Sequence, residues 1–179
     1  IRYIRHHADK FGINPVNIGM TGFSAGGHLV GMAATSEEYK NENRIDEIDG
    51  ESIKINYQIL SYPVIYISGE TIGMKMVRQA LFGKNRDNKL LEETSACNHV
   101  TGSTAKAFIW HTAADTIVPV IHSQKYAKAL QENNVPCELH IYSKGPHGMS
   151  MCDKQKYKNL EAGSWVNECE RWIKDNVLL

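Results

Sequence analysis

The sequence predicts an α/β fold in which a mostly parallel sheet of four strands is flanked by helices. The main observation is the order of patterns, because short apolar or alternating segments take turns with segments whose apolar residues recur at helical spacing. Strands that alternate with helices form parallel sheets with right-handed crossovers. The second observation is length, since 179 residues can bury a substantial core as one domain. Residues 1–179 are therefore predicted to form a single domain.

The first fifty residues predict a helix, a strand, a second helix and a loop. Residues 1–11 carry apolar side chains at helical spacing, and Gly12 ends that helix. A short buried strand is predicted over Val16 to Thr21, followed by a helix from Ala25 to about Thr35. Residues 37–52 are dense in charged and amide side chains, which indicates a solvated loop.

The remaining chain repeats this alternation. Further strands are predicted at 53–62, 106–111 and 137–141, and helical apolar stripes at 72–81, 123–130 and 162–173. The stretch 64–95 is longer than a simple crossover needs. We expect it to form a small cap insertion on the domain.

Composition and charge exclude several classes of protein. Lys plus Arg equals Asp plus Glu, so the net charge gives no indication of nucleic acid or of an anionic membrane surface as a partner. No apolar run approaches the roughly 18 residues that span a bilayer. The four cysteines have no metal-type spacing, and we expect them to be reduced in a cytoplasmic protein: Cys97, Cys137, Cys152 and Cys169.

The segment Gly22-Phe23-Ser24-Ala25-Gly26 matches G-x-S-x-G. In a nucleophile elbow this pattern places a serine on a strained turn between a strand and a helix, where its hydroxyl is exposed. The context fits, because a strand is predicted to end at Thr21 and a helix to start at Ala25. A glycine-rich turn that only packs a helix against a sheet is the alternative. A phosphate loop is excluded by the spacing and by the absence of a following Lys-Ser/Thr.

A serine nucleophile needs a base and an acid, which in such folds follow it in the order serine, acid, histidine, each after a strand. Asp115 lies just beyond the strand that ends at His111, where ligands bind in parallel sheets. A capping or turn aspartate is the other interpretation, since a helix follows shortly. Asp115 is the predicted acid.

His147 is the predicted base. It follows the last strand inside Lys144-Gly145-Pro146-His147-Gly148, a tight loop that would fix its imidazole. His111 precedes the acid and so violates the order. His28 stands one helical turn after Ser24 and is the alternative base; the other histidines fall on helices, on an outward strand position or in an unrelated loop.

The segment around Ser24, the loop that carries Asp115 and the loop that carries His147 resemble those of small bacterial esterases of the α/β-hydrolase superfamily. The resemblance is to the lipase-like and acetyl-xylan-esterase-like group, often called sugar hydrolases. The resemblance covers nearly the whole chain and implies Ser24 as nucleophile, Asp115 as acid and His147 as base. It also implies the Ala25 backbone N–H as an oxyanion donor. Phe23, Tyr62 and Val118 are expected to contact substrate beside the triad.

The chain departs from that family before the elbow. There the second oxyanion donor comes from a glycine-rich loop after the third strand, and only 21 residues precede Gly22 here. The four strands resemble the last four of the family's sheet, which leaves Val16 to Thr21 with an open edge. We therefore expect either a C-terminal portion of an α/β-hydrolase, with its N-terminal part absent, or a homo-oligomer that covers this edge.

The expected function is hydrolysis of a short acyl ester, for example an acetyl group on a sugar, through an acyl-enzyme intermediate and with no cofactor or metal. The expected partner is a small-molecule ester. A serine peptidase of the same fold and a catalytically inactive module of this fold are the alternatives.

Overall fold

A computed structural model describes residues 1–36, 44–67, 71–84 and 87–178. Parts of the predicted loop at 37–52 and of the predicted cap at 64–95 lie outside these ranges. The described chain contains a four-stranded parallel sheet in the order β1-β2-β3-β4. The strands are β1 (Gly19–Phe23), β2 (Tyr57–Ser61), β3 (Lys106–Thr112) and β4 (Cys137–Tyr142).

Helices connect and flank these strands, which confirms the predicted fold class. The α-helices are α1 (Arg2–His6), α2 (Ala8–Phe11), α3 (Ala25–Thr35), α4 (Ile72–Phe82), α5 (Asn88–Glu93), α6 (Ile121–Glu132) and α7 (Trp165–Asn176). Short 3₁₀ turns occur at Ile48–Gly50, Ala96–Asn98, Gln155–Tyr157 and Glu161–Ser164.

The sheet separates two apolar layers, and β3 contributes to both because successive side chains of a strand point to opposite faces. Phe108 and Trp110 join the layer beneath α7. Ala107 and Ile109 join the layer beneath α3 and α6. All four side chains are fully buried, as expected for a central parallel strand covered on both faces.

Two strand starts differ from the sequence prediction. β1 begins at Gly19, not at Val16, and the Val16 side chain is 72% exposed. β2 begins at Tyr57. The residue before it, Asn56, bonds to Ile18 just before β1: Asn56 N–H donates to the Ile18 carbonyl at 2.7 Å, and the Asn56 side-chain oxygen accepts from Ile18 N–H at 3.0 Å. In both strands the apolar pattern of the sequence therefore starts several residues before the hydrogen-bonded sheet does.

Two helical predictions also need correction. The predicted helix at 1–11 is two short helices that meet at His7. The apolar stripe on α4 is not its buried face, since Ile72 and Met76 are largely exposed while Gly73 and Met74 are buried. The reason is close packing at Gly73. A Cβ on this residue would lie 2.5 Å from the Ile117 carbonyl oxygen, so this face of α4 packs against the Ile117 backbone.

β1 forms one edge of the described sheet. Its five residues pair in register with β2, and β2 lies between β1 and β3. Within the described ranges, none of the helices is both long and apolar enough for a membrane crossing.

Candidate active site

Ser24 occupies the junction between β1 and α3 in a conformation that L-residues rarely adopt. It has φ 55° and ψ −118°, directly after Phe23 and directly before the first residue of α3. Hydrogen bonds hold the junction on both sides: Ser24 N–H donates to the Ser61 carbonyl, and the Ser24 carbonyl accepts from Val64 N–H, both at 3.0 Å. A strained backbone fixed in this way by its neighbours is typical of functional sites.

Two of the three glycines around Ser24 have no room for a side chain at this turn. A Cβ on Gly22 would lie 2.3 Å from the Gly26 carbonyl oxygen, and one on Gly27 would lie 2.5 Å from Pro63 Cβ. A Cβ on Gly26 would meet nothing within 4 Å. Close packing therefore excludes a side chain at Gly22 and at Gly27, but not at Gly26.

The structure brings Ser24, His147 and Asp115 together in one hydrogen-bonded chain. Ser24 Oγ lies 2.8 Å from His147 Nε2, and His147 Nδ1 lies 2.6 Å from Asp115 Oδ2. The ionised carboxylate only accepts hydrogen bonds, so Nδ1 donates to it and Nε2 of the neutral ring faces the serine as an acceptor. The three residues come from the C-terminal ends of β1, β3 and β4.

Asp115 is held by both of its carboxylate oxygens. Oδ1 accepts from the backbone N–H groups of Ile117 at 2.9 Å and Val118 at 3.0 Å. Oδ2 faces His147 and, at 3.4 Å, Nε2 of His111. Burial alone would raise the pKa of this carboxyl, but hydrogen bonds from the His111 and His147 side chains and from Val118 N–H hold its pKa well below its usual range.

The loop that carries His147 is fixed at both ends. Thr112 Oγ1 donates to the Gly145 carbonyl at 2.8 Å. Gly145 has φ 138°, and a Cβ there would lie 2.8 Å from Met149 Sδ. The Tyr62 ring packs edge-on against the imidazole, with ring centroids 4.9 Å apart. The His147 side chain remains 16% exposed, which leaves it accessible from one side.

The other predicted site residues fall into two groups. Ala25 is exposed and begins α3, so its N–H is among the donors that a helix leaves without an intrahelical acceptor. Phe23 is half-buried and packs its ring against Tyr62 and Trp165. Ala25 and Phe23 are thus the predicted substrate contacts that retain accessible surface.

Tyr62 and Val118, also predicted to contact substrate, are almost completely buried. Tyr62 is only 4% exposed, has φ 39°, and its hydroxyl accepts from Ser150 N–H at 2.9 Å; burial raises its pKa. Val118 is 2% exposed, in a cluster with Val64, Ile67 and Met74. Tyr62 supports the His147 loop and Val118 supports the Asp115 loop from within the core.

His28, the alternative base, is held elsewhere. Its Nε2 lies 2.6 Å from the Thr94 carbonyl, so the ring donates to the residue that ends α5. His111 is the residue that sequence reasoning set aside and the structure brings to the site. Its position near the end of β3, four residues before Asp115, was the available signal.

One cluster in the described chain brings histidine and carboxylate oxygens together away from the triad. Glu138, His140 and Glu168 place potential metal ligands within 4.8 Å of one another. Arg171 already pairs with Glu138 at 2.8 Å and with Glu168 at 3.0 Å. The ion pairs account for this cluster without a metal.

A parallel sheet with a strained serine between β1 and α3, and with an acid and a histidine after the following strands, defines an esterase-like α/β-hydrolase. Residues 1–130 match the BD-FAE family model, and the chain belongs to that family.

The chain is similar to two curated relatives and to a crystal structure. It is 32% identical over 170 residues to endo-1,4-beta-xylanase B of Butyrivibrio fibrisolvens, covering 94% of this chain and 26% of that protein. It is 31% identical over 172 residues to the acetylxylan esterase of Xylanibacter ruminicola, covering 92% of this chain and 33% of that protein. An acetyl ester-xyloside bifunctional hydrolase from Caldicellulosiruptor lactoaceticus superimposes with a TM-score of 0.88 at 34% identity, covering 97% of this chain and 62% of that one. The chain thus spans about a third or less of the curated relatives.

Proposed function

We propose that this chain carries the catalytic triad of a serine esterase that cleaves short acyl esters. The observation that carries the proposal is the hydrogen-bonded chain from Ser24 Oγ through His147 to Asp115, at 2.8 and 2.6 Å. A serine hydroxyl is a weak nucleophile until an adjacent base removes its proton, and this geometry supplies that base and orients it.

The reaction would proceed in two halves. Ser24 Oγ attacks the ester carbonyl carbon while His147 Nε2 takes the hydroxyl proton. The tetrahedral oxyanion lies beside Ala25 N–H at the positive end of α3. His147 then gives the proton to the departing alcohol, which leaves an acyl group on Ser24. Water, deprotonated by His147, attacks the acyl carbonyl and releases the acid, while the proton returns to Ser24.

The proposed substrate is an acetyl ester on a xylan-like sugar. The names of two relatives, an acetylxylan esterase and an acetyl ester-xyloside hydrolase, support this class. The xylanase relative favours the same polysaccharide, although the chain matches only 26% of its length. The site itself favours acyl transfer, because glycoside hydrolysis normally uses two carboxyl groups facing one bond, and Asp115 instead serves His147.

The segment 64–95 is proposed to form a small cap beside this site within the single domain. Thr71 Oγ1 donates to the Ile117 carbonyl at 3.0 Å, and Met74 packs with Val118. α4 is thus attached directly to the turn that holds Asp115. A cap in this position would contribute to the shape of the substrate pocket.

A fluorophosphonate probe tests the nucleophile. We expect the full-length protein to be labelled at Ser24, and a Ser24→Ala variant to lose both labelling and esterase activity. Peptide mapping that finds the adduct on another serine would overturn the assignment. Absence of labelling, together with absence of hydrolysis, would favour the catalytically inactive module.

A comparison of substrates tests the reaction class. p-Nitrophenyl acetate and acetylated xylan are expected to be hydrolysed, and a peptide p-nitroanilide is not. Faster cleavage of the anilide than of the acetate would favour the peptidase alternative.

His28→Gln is the control variant for the choice of His147 as base. The His28 imidazole follows the elbow by one helical turn but is bonded to the Thr94 carbonyl, so the effect of this substitution on turnover is expected to be small.

A further inference from the structure

His111 is a second imidazole in contact with the proposed catalytic acid. It lies on β3 with 0% exposure, and its Nε2 is 2.9 Å from the Val118 carbonyl oxygen and 3.4 Å from Asp115 Oδ2. Its Nδ1 is 2.8 Å from Ser123 Oγ on α6, a side chain that is also fully buried. The triad therefore continues past Asp115 into the core.

The partners of His111 fix its protonation pattern. A carbonyl oxygen only accepts, so Nε2 must carry a proton to make the 2.9 Å contact with Val118. The same nitrogen lies 3.4 Å from Asp115 Oδ2, the oxygen that accepts from His147 Nδ1. With Nε2 protonated, the neutral ring leaves Nδ1 to accept the Ser123 hydroxyl proton.

We propose that His111 is a positioning residue that sets the orientation and the basicity of Asp115 toward His147. This inference rests on the proposed serine-esterase function. Ile117 and Val118 N–H groups hold Oδ1, and the buried His111 ring lies 3.4 Å from Oδ2, so contacts on both oxygens oppose rotation of the carboxylate away from His147. A donor that shares Oδ2 also withdraws some of the negative charge that would otherwise hold a proton on His147.

The ionisable groups that face His111 are few in the described chain. Asp115 and His147 lie on the loops after β3 and β4, and His122 lies on α6. Desolvation by burial, followed by the influence of His111 and Lys125, lowers the pKa of His122 to about 3, so His122 stays neutral through the working range of an esterase. Asp115 is therefore the charged group that His111 acts on.

Removal of the donor should change the pH profile as well as the rate. For His111→Leu we expect kcat to fall about 10- to 100-fold, as for misplaced catalytic groups, with KM nearly unchanged. The acid limb of kcat/KM should move to higher pH, because without the His111 imidazole the carboxylate presents more of its negative charge to the proposed base. His111→Gln, whose amide N–H₂ can replace the Nε2 donor, should retain most of the wild-type kcat and the wild-type acid limb.

His140→Leu on the neighbouring strand is the matched control, since it removes a half-buried imidazole that bonds to Glu138. All variants are made in the full-length protein, with active sites counted by fluorophosphonate labelling so that misfolded molecules do not lower the measured kcat. His140→Leu should leave both kcat and the acid limb unchanged.

Two results would overturn the inference while leaving the proposed function intact. The first is a His111→Leu enzyme that keeps the wild-type kcat and the wild-type acid limb of kcat/KM. A His111→Leu enzyme whose loss in kcat equals that of His111→Gln, with no shift of the acid limb, would contradict the inference equally. The second, which needs no variant, is ¹⁵N NMR of histidine-labelled wild-type protein that assigns the proton of His111 to Nδ1 and not to Nε2. If Ser24→Ala retains full esterase activity, the proposed function fails, and this inference fails with it.

Discussion

At the scale of single residues, the site depends on hydrogen-bond donors distributed over one buried carboxylate. Asp115 receives two backbone donors on Oδ1 and the His147 imidazole donor on Oδ2, and the His111 ring lies 3.4 Å from Oδ2. This arrangement keeps Asp115 ionised despite burial and leaves its charge directed at His147 Nδ1. Substitutions of the acid should therefore affect the reaction much more than the fold.

Asp115→Asn should reduce kcat by about 10⁴-fold, in line with the loss measured for the acid of a serine-protease triad. The amide has a single oxygen acceptor and an N–H₂ donor, so it favours the wrong imidazole tautomer of His147. Circular dichroism should remain that of the wild type, and p-nitrophenyl acetate hydrolysis measures the loss. A decrease of less than about tenfold would mean that another residue supplies the acid.

His122 should make the folded state sensitive to mild acid. Its Nδ1 accepts from Ile65 N–H at 3.1 Å, while Nε2 is buried without a partner in the described chain. The folded-state pKa of about 3 lies below the unfolded value, so stability is complete above about pH 6.5 and declines as pH falls toward 3.

His122→Asn provides the comparison, because its amide oxygen can replace the Nδ1 acceptor but does not titrate. Below pH 6 the free energy of unfolding of the wild type should fall relative to this variant by up to about 1.4 kcal/mol per pH unit. Denaturant melts from pH 7 to pH 4 measure both proteins. Parallel curves would show that His122 does not remain neutral in the folded state.

At the scale of elements, the strand-to-helix turn is the part that the sequence predicted best. α3 spans Ala25–Thr35, as its pattern indicates, because its start is determined locally by the glycines and its end by the loss of apolar spacing. The α7 face was also predicted, since Trp165, Cys169 and Trp172 are buried beneath the sheet.

Contacts between elements could not be predicted from local patterns. Periodicity on α4 identifies an apolar stripe but not what it packs against, and the helix is attached through Thr71, Gly73 and Met74, leaving Ile72 exposed. His111 and Tyr62 likewise reach the site through tertiary contacts: one from β3, the other across the sheet end to Ser150. Chain order led to Asp115 and His147, which the structure places in contact with each other and with Ser24, but it gives no information on the residues that support them.

The turn offers a matched pair of substitutions. Gly22→Ala places a methyl group 2.3 Å from the Gly26 carbonyl oxygen, so the elbow must shift, and both stability and fluorophosphonate labelling should decrease strongly. Gly26→Ala adds the same methyl group in open space and should preserve both, with a slight gain in helix propensity. Thermal melts and labelling rates compare the two variants. Equal behaviour would contradict the described packing at Gly22.

At the scale of the whole molecule, the main feature is the position of β1 at one edge of the described sheet. β1 leads into Ser24, the proposed nucleophile, at its C-terminal end, yet in the described sheet it pairs on one side only, with β2. The N–H and C=O groups along such an edge can recruit other chains. The resemblance to small esterases also places the second oxyanion donor in a loop that precedes the elbow.

These two features predict how residues 1–179 behave when expressed alone. The exposed edge should make the polypeptide associate or precipitate, although the hydrogen bonds among Ser24, His147 and Asp115 lie within it. Absence of one oxyanion donor should lower turnover by about 10²- to 10³-fold relative to the natural full-length chain. Slow covalent labelling of Ser24 should persist, because the α3 N-terminus and Ala25 N–H are retained.

The measurement compares both polypeptides side by side by size-exclusion chromatography and p-nitrophenyl acetate hydrolysis. Addition of charge on the edge separates the two causes: Thr21→Lys, at an exposed position of β1, should improve the dispersity of the 1–179 polypeptide without restoring its turnover. A monodisperse monomer with the turnover of the full-length chain would contradict the prediction, and would mean that residues 1–179 complete both the sheet edge and the oxyanion hole themselves.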